Sequence, residues 1–259
     1  MSGLLEGRRG LVLGVSGPNS VGYQAALGFR ALGAEVTVTH REARRGEVQR
    51  LARDFGCGSV ELDCRDERAV ELAVVQTGQR YERLDFLVHT LVHVPDGVLD
   101  KSVTELSAED FSQVMDVSVR SLLVACRYAL PWLRRSAAPR VVTLLSPGGE
   151  RALGRYHAVG IAKGALAAAV RYLALELGAL GVLCNAVNFS IIETDAALRV
   201  IGAELTEKTR AAVARRAFTR RATDYADVVN ALAYLASPLC TNLTGEALTV
   251  DGGFSRGYL

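Results

Sequence analysis

Arg9-Gly10-Leu11-Val12-Leu13-Gly14-Val15-Ser16-Gly17-Pro18-Asn19-Ser20-Val21-Gly22 is the stretch on which the fold turns. From Gly10 to Val15 it is apolar and of strand length, the pattern of a parallel strand buried on both faces. From Ser16 it is small and turn-forming, and a helical pattern through Gln24-Ala25-Ala26-Leu27-Gly28-Phe29-Arg30 follows at once. A strand feeding a glycine-bearing turn that feeds a helix makes a phosphate cradle. Small residues let the backbone come close, and the helix N-terminus offers unpaired N–H groups to negative charge. The spacing is not G-x-G-x-x-G, since Gly14 is followed six residues later by Ser20 and then by Gly22. The flanking strand and helix are what the motif requires, and they put Gly14, Ser16, Ser20, Val21 and Gly22 around a dinucleotide pyrophosphate.

The same alternation continues outward. Strands are expected at Ala34–Thr39, Ser59–Leu62, Leu84–Val88, Arg140–Leu145, Gly181–Val187 and Ala247–Val250. Between them lie helical patterns at Glu47–Phe55, Glu67–Tyr81, Ser107–Leu133, from Lys163 to about Leu180, and Asp224–Leu235. An irregular, helical region runs from Glu193 to about Arg221. No linker, repeat or low-complexity segment interrupts the pattern. It predicts a single doubly wound α/β domain of the Rossmann type over residues 1–259, its mainly parallel sheet flanked by helices. Ligands of such sheets bind outside the carboxyl ends of the strands. Ser20, Arg41, Asp63, Thr90 and Ser146 all fall on that edge.

The end of the second strand faces the adenosine ribose in these folds. An acid there binds the 2′-hydroxyl, whereas arginine accepts a 2′-phosphate. His40-Arg41-Glu42-Ala43-Arg44-Arg45 offers three arginines and no acid at the strand end, which favours NADPH over NADH. A solvated basic start to the next helix competes with this, above all for Arg45.

Ser146-Pro147-Gly148-Gly149-Glu150-Arg151-Ala152-Leu153-Gly154-Arg155-Tyr156-His157-Ala158-Val159-Gly160-Ile161-Ala162-Lys163 follows the fifth strand. Tyr156 and Lys163, seven residues apart, fall two turns apart on one helix face. Such a pair can address one ligand, the tyrosine donating a proton while the lysine holds the cofactor and lowers the tyrosine's pKa. An amphipathic helix with a packed tyrosine and a surface lysine satisfies the same spacing.

The chain has 259 residues, enough for one large α/β domain, and a net charge of +2, too small to imply nucleic acid. No apolar run of membrane-spanning length and no secretion signal is read, so a cytoplasmic protein without a membrane partner is expected. The cysteines, Cys57, Cys64, Cys126, Cys184 and Cys240, are scattered and odd in number, which points to reduced thiols. His40, His89, His93 and His157 lack metal-ligand company, and no metal is expected.

In this order the glycine turn, Asp63, the Ser146–Tyr156–Lys163 set, Asn185-Ala186-Val187 and Val250-Asp251-Gly252-Gly253 resemble the short-chain dehydrogenase/reductases over nearly the whole chain. Within them the chain is most similar to the divergent enoyl-acyl-carrier-protein reductase branch. Most family members place the tyrosine four residues before the lysine, where Val159 stands here. Leu87-Val88-His89-Thr90 looks like that branch's His-Ser pair. Three residues of helix move a tyrosine by about 4.5 Å along the axis, the displacement expected when charge develops on a thioester oxygen and not on the oxygen of the very carbon that receives hydride. Pro147 stands where the branch often carries a second tyrosine, and Phe189-Ser190 where the family has Pro-Gly.

The resemblance implies NADPH-dependent reduction of the C=C bond of a trans-2-enoyl thioester, on acyl carrier protein or coenzyme A, in fatty-acid or specialised polyketide-type metabolism. A ketoreductase or alcohol dehydrogenase acting on C=O, and a catalytically silent NADP-binding protein, are the alternatives. Tyr156 is implied to bind the enolate oxygen, Lys163 the nicotinamide ribose, and Ser146 to orient the thioester. Ser118 falls where most members carry a structural asparagine. His40, Arg41, Asp63, Cys64, Thr90 and Thr194 are implied to join the cofactor site. Relatives form homotetramers and carry a substrate lid, which falls here at about 194–222. Arg199, Lys208, Arg210, Arg215, Arg216, Arg220 and Arg221 in that segment either steer an acidic acyl carrier protein or form a solvated helix face.

Overall fold

The computed structural model describes residues 3–257. Seven strands form one sheet: β1 (Arg9–Leu13), β2 (Glu35–His40), β3 (Gly58–Glu61), β4 (Phe86–His89), β5 (Arg140–Leu145), β6 (Leu183–Phe189) and β7 (Ala247–Val250). Their order is β3-β2-β1-β4-β5-β6-β7 and every pairing is parallel, so the sheet expected to be mainly parallel is wholly so among the described residues. Buried on both faces, its central strands read as continuous apolar runs, which is why the sequence showed them so plainly. The strand order reverses between β1 and β4, the place where a doubly wound sheet opens a crevice at its carboxyl edge.

Nine α-helices accompany the sheet among the described residues: α1 (Val21–Ala31), α2 (Arg45–Asp54), α3 (Glu67–Tyr81), α4 (Ala108–Met115), α5 (Ser121–Leu133), α6 (His157–Gly178), α7 (Asp195–Ile201), α8 (Ala203–Arg216) and α9 (Tyr225–Ala236). Two apolar layers result. Phe29 of α1, Val48 of α2 and Leu232 of α9 pack with Val12 and Val88 on one face. Val74 of α3, Leu122 of α5 and Leu166 of α6 pack with Leu11 and Leu87 on the other. Alternate residues of β1 and β4 therefore feed opposite layers, as the two-residue period of a strand demands.

Three expectations change. The first strand stops at Leu13, because Gly14 turns the chain at φ 101°. The helical stretch Ser107–Leu133 is one rod containing a π-helical turn, Asp116–Arg120, between α4 and α5. One stretch is also apolar enough for a membrane. Helix α6 has 22 residues and an 18-residue window of mean hydropathy 1.5, with half of that window packed inside the domain. Its apolarity comes from lying across β5 and β6, and the buried Lys163 interrupts it.

Candidate active site

The glycine turn is built around Ser20. That residue caps α1: its Oγ accepts the amide of Tyr23 at 3.3 Å and donates to the carbonyl of Gly17 at 2.7 Å. The amide of Ser16 reaches the same oxygen at 3.4 Å. Val21 and Gly22 begin the helix, and no acid stands in its first turn. A Cβ on Gly22 would lie 2.7 Å from Oγ1 of Thr90 and 3.0 Å from the carbonyl oxygen of Gly14, so only glycine fits. Thr90 itself donates to the carbonyl of Leu13 at 2.8 Å and lies 3.2 Å from that of Gly14. Its hydroxyl is spent on bracing the turn from below.

The other expected cofactor residues lie along the same edge. His40 ends β2 and is buried, with Nδ1 3.2 Å from the carbonyl of Arg41 and Nε2 without a partner. Arg41, next in the chain, is exposed, and its guanidinium makes no hydrogen bond or ion pair among the described residues. Arg44 instead pairs with Glu47, and Arg45 with Glu61. Asp63 lies two residues beyond β3, forked by Arg65 through Nε at 3.0 Å and Nη2 at 2.7 Å, which holds its carboxyl below the usual range. Cys64 is buried, and burial pushes its thiol up to about 11, so it is a neutral wall. Thr194 accepts the amide of Ala197 at 2.9 Å as the N-cap of α7.

Ser146 follows β5 directly, and its Oγ lies 3.1 Å from Oη of Tyr156. Pro147-Gly148-Gly149 makes a single 3₁₀ turn beneath the ring. A Cβ on Gly148 would collide with that ring, so the glycine is what lets the tyrosine lie against the turn. Tyr156 does not belong to the helix on which the spacing placed it. It is the residue before α6, at φ −131° and ψ 7°, while Lys163 lies two turns inside. Lys163 is only 7 % exposed and Nζ donates to the carbonyl oxygen of Leu144 at 2.7 Å, which excludes a surface lysine. Burial brings its pKa down to about 8. Burial raises that of Tyr156, and the hydrogen bond from Ser146 is what opposes the rise. The expectation that Lys163 lowers the tyrosine's pKa is not met in this arrangement, since the ammonium addresses a carbonyl of β5.

These placements can be set beside known proteins. The enoyl-(acyl carrier protein) reductase family model matches residues 14–255. The NADH enoyl-acyl-carrier-protein reductase of Escherichia coli is 32% identical over 256 residues, covering 98% of this chain and 96% of its own. That of Haemophilus influenzae is 31% identical with the same coverage. The chain belongs to the enoyl-acyl-carrier-protein reductase family. It is a nicotinamide-dependent oxidoreductase of the enoyl-reductase type within the short-chain dehydrogenase/reductases. Two solved enoyl-acyl-carrier-protein reductases are similar in structure. That of Anaplasma phagocytophilum, in complex with NAD, has a TM-score of 0.93 at 28% identity, over 100% of this chain and 98% of its own. That of Bacillus cereus, with NADP+ and an indole naphthyridinone, has a TM-score of 0.94 at 26% identity over 100% of both chains.

The reductase's own residues fit a dinucleotide. The α1 N-terminus is open, the Gly14–Gly22 turn leaves no room for a Cβ at Gly22, and an unpaired guanidinium stands at Arg41. No cluster of three or more His, Cys, Asp or Glu side chains is placed to hold a metal among the described residues.

The resemblance pointed to His89 and Ser118 by position, but their partners were not readable from the sequence. His89 is buried between Oγ of Ser121, 2.8 Å from Nε2, and Oγ1 of Thr143, 3.0 Å from Nδ1. Ser121 Oγ donates to the carbonyl of Val117, so Nε2 carries the hydrogen. Burial, then Lys163, depress the imidazole's pKa to about 3, so it is a neutral tie joining β4, β5 and α5. Ser118, in the π-helical turn, is fully buried and its hydroxyl has no partner. A cavity of about 630 Å³ opens between the loop after β4 and helices α7 and α8, walled by Val92, His93, Leu99, Ala196, Arg199 and Lys208 among others. Its α7 and α8 wall falls within the segment expected at about 194–222.

Proposed function

We propose that this reductase uses NADPH to reduce the C=C bond of a trans-2-enoyl thioester. The observation that carries the proposal is the Ser146–Tyr156 hydroxyl pair at the carboxyl edge of β5, with Lys163 buried two helical turns beyond the tyrosine. When bound, the dinucleotide supplies the hydride for the β-carbon. Tyr156 Oη donates to the thioester oxygen as negative charge develops there, a group held in place before reaction. Ser146 Oγ fixes the rotation of the phenol and completes the donor set. The ammonium of Lys163 binds the ribose hydroxyls and supplies positive charge at the sheet edge. Gly14, Ser16, Ser20, Val21 and Gly22 take the pyrophosphate, Asp63, Cys64 and Thr90 border the adenosine and nicotinamide sides, and Thr194 closes the far wall.

Arg41 supports the choice of NADPH. Arg44 and Arg45 are neutralised by Glu47 and Glu61, which leaves Arg41 beside the buried His40 to meet a 2′-phosphate. The E. coli and H. influenzae relatives are NADH enzymes, so the preference rests on this chain's own second strand end. An acyl-carrier-protein thioester is the favoured substrate form, with α7 and α8 as the lid and their basic side chains facing an acidic carrier, in a cytoplasmic homotetramer.

The test is NADPH oxidation with a trans-2-enoyl thioester against a 3-oxoacyl thioester. The proposal expects the enoyl substrate to be turned over and the 3-oxoacyl substrate not. Turnover of the 3-oxoacyl substrate alone would assign a ketoreductase, and NADPH binding with turnover of neither would assign a silent binding protein.

A further inference from the structure

Three segments converge on one backbone oxygen. The carbonyl of Asn19, just before the cap of α1, accepts from Oη of Tyr225 at 3.0 Å and from the amide of Asp195 at 3.2 Å. The Tyr225 hydroxyl also lies 2.9 Å from the carbonyl oxygen of Glu193. Asp195 opens α7, and the carboxylate of Glu193 takes Nη1 of Arg210, on α8, at 3.0 Å. Both helices that wall the cavity of about 630 Å³ are thus joined, through Glu193 and Asp195, to the phosphate turn. Tyr225 is itself the first residue of α9. That helix is immobilised by the capping box of Asp224 and Asp227, by the fork of Arg221 on Asp227, and by Val229 seated against Gly28 of α1. The phenol is a short strut from α9 to a joint between the glycine turn and a cavity wall.

We propose that Tyr225 is a positioning residue that couples occupancy of the Gly14–Gly22 turn to the placement of α7 and α8. A single hydroxyl hydrogen cannot serve the Asn19 and Glu193 carbonyls fully at once. A small displacement of Asn19 as the turn closes on an anion therefore shifts the bond between them, and moves the start of α7 through the Asp195 amide. The phenol remains a donor throughout the working range, because burial and then the charges of Asp195 and Glu193 push its pKa up to about 12. Tyr225 makes no hydrogen bond with Ser146, Tyr156 or Lys163 among the described residues, so its hydroxyl reaches the site through these two joints. The coupling rests on the assignment of residues 14–22 to the cofactor.

Hydrogen exchange of the 193–216 segment, followed as NADPH is added, tests it in the full-length protein. In the wild type NADPH is expected to slow exchange at 193–201. Tyr225→Phe is expected to lose that protection, to weaken NADPH binding and raise the KM for the enoyl thioester each by about fivefold, the usual effect of one lost hydrogen bond, and to leave kcat within about twofold. Asp195→Pro removes the amide donor at a first helical position, which tolerates proline, while Tyr225 stays intact. Thr194 already has the extended backbone, φ −118° and ψ 158°, that a following proline requires, so this variant folds if Tyr225→Phe does not, and it should uncouple in the same way. Unchanged protection in either folded variant, or no NADPH-dependent protection in the wild type, overturns the coupling while leaving the cofactor assignment in place. Failure of the wild type to bind NADPH overturns both.

Discussion

Nζ of Lys163 donates to the carbonyl oxygen of Leu144 at 2.7 Å, and no carboxylate stands beside this buried ammonium among the described residues. A cation held so is a cost to the fold, and that cost depends on pH. Its pKa falls to about 8 in the folded chain from an ordinary 10.5. Below about pH 8 both folded and unfolded chains carry the proton and the whole cost is present. Between about 8 and 10.5 only the unfolded chain carries it, so stability rises with pH across that window. Lys163→Met is therefore expected to be more stable than the wild type near neutral pH, with the difference shrinking toward about pH 10. Urea unfolding of both proteins across that range measures it, and a difference independent of pH would refute the assignment. Activity should move oppositely, kcat/KM for the cofactor falling as pH rises through about 8, since that profile reports the free enzyme.

Tyr156→Phe removes the hydroxyl proposed to address the substrate oxygen and keeps the ring against Gly148. Turnover is expected to fall by about 100- to 1,000-fold with NADPH affinity retained. Ser146→Ala should cost less, about tenfold. Loss of the Ser146 hydrogen bond, which opposes burial, should also raise the tyrosine's pKa further, and ultraviolet titration of the phenol reports this.

Arg41→Ala should lower kcat/KM for NADPH by about 10- to 100-fold and leave NADH nearly unaffected, because the proposed guanidinium–phosphate contact is open to only one of the two cofactors. Arg45→Ala is the control. Its side chain is exposed and already committed to Glu61, and both cofactors should respond weakly and alike. Equal losses with both cofactors in Arg41→Ala would remove the case for NADPH.

Gly22→Ala would put a methyl group 2.7 Å from Oγ1 of Thr90 and 3.0 Å from the carbonyl oxygen of Gly14. A loss of about 1–3 kcal/mol in stability is expected, together with weakened cofactor binding. Thr90→Ala in the same chain relieves the first contact and not the second, so it should restore part of the loss. Full restoration would show that Thr90 alone excludes the side chain.

Arg215→Glu with Arg216→Glu tests carrier steering. Neither side chain has an acidic partner among the described residues, and Arg216 lies over the ring of Phe254 at 5.3 Å. Association with an acidic carrier protein should slow by about tenfold at low salt, with small thioesters unaffected. An equal fall for both substrate forms would mean that the segment is only a solvated face.

Much of this was legible in the chain itself. The apolar runs at Gly10–Leu13 and Arg140–Leu145 mark strands because a parallel sheet covered on both faces leaves no polar alternation. The third helix was expected at Glu67–Tyr81 and is found there, with Asp66 capping its start and Glu82 ending it in the left-handed region. The edge positions Arg41, Asp63, Thr90 and Ser146 follow from strand ends alone, because the carboxyl edge is wherever parallel strands stop.

Helical spacing could not say where α6 begins. It placed Tyr156 on a helix face, whereas the chain reaches that residue in a non-helical conformation, held by the Gly148 approach and the Ser146 hydroxyl ten residues earlier. The apolarity of α6 likewise has one meaning in a membrane and another across β5 and β6, and only packing distinguishes them.

The sequence by itself determined the alternation of strands and helices, the glycine-bearing turn between β1 and α1, and the order in which Ser146, Tyr156 and Lys163 arrive, because those are properties of local pattern. The tertiary structure alone decided that Lys163 is buried against Leu144, that Arg41 is the unpaired guanidinium among its neighbours, and that Tyr225 meets Asn19 from 206 residues away. Burial and pairing depend on which distant segments share one place, and no local pattern carries that information.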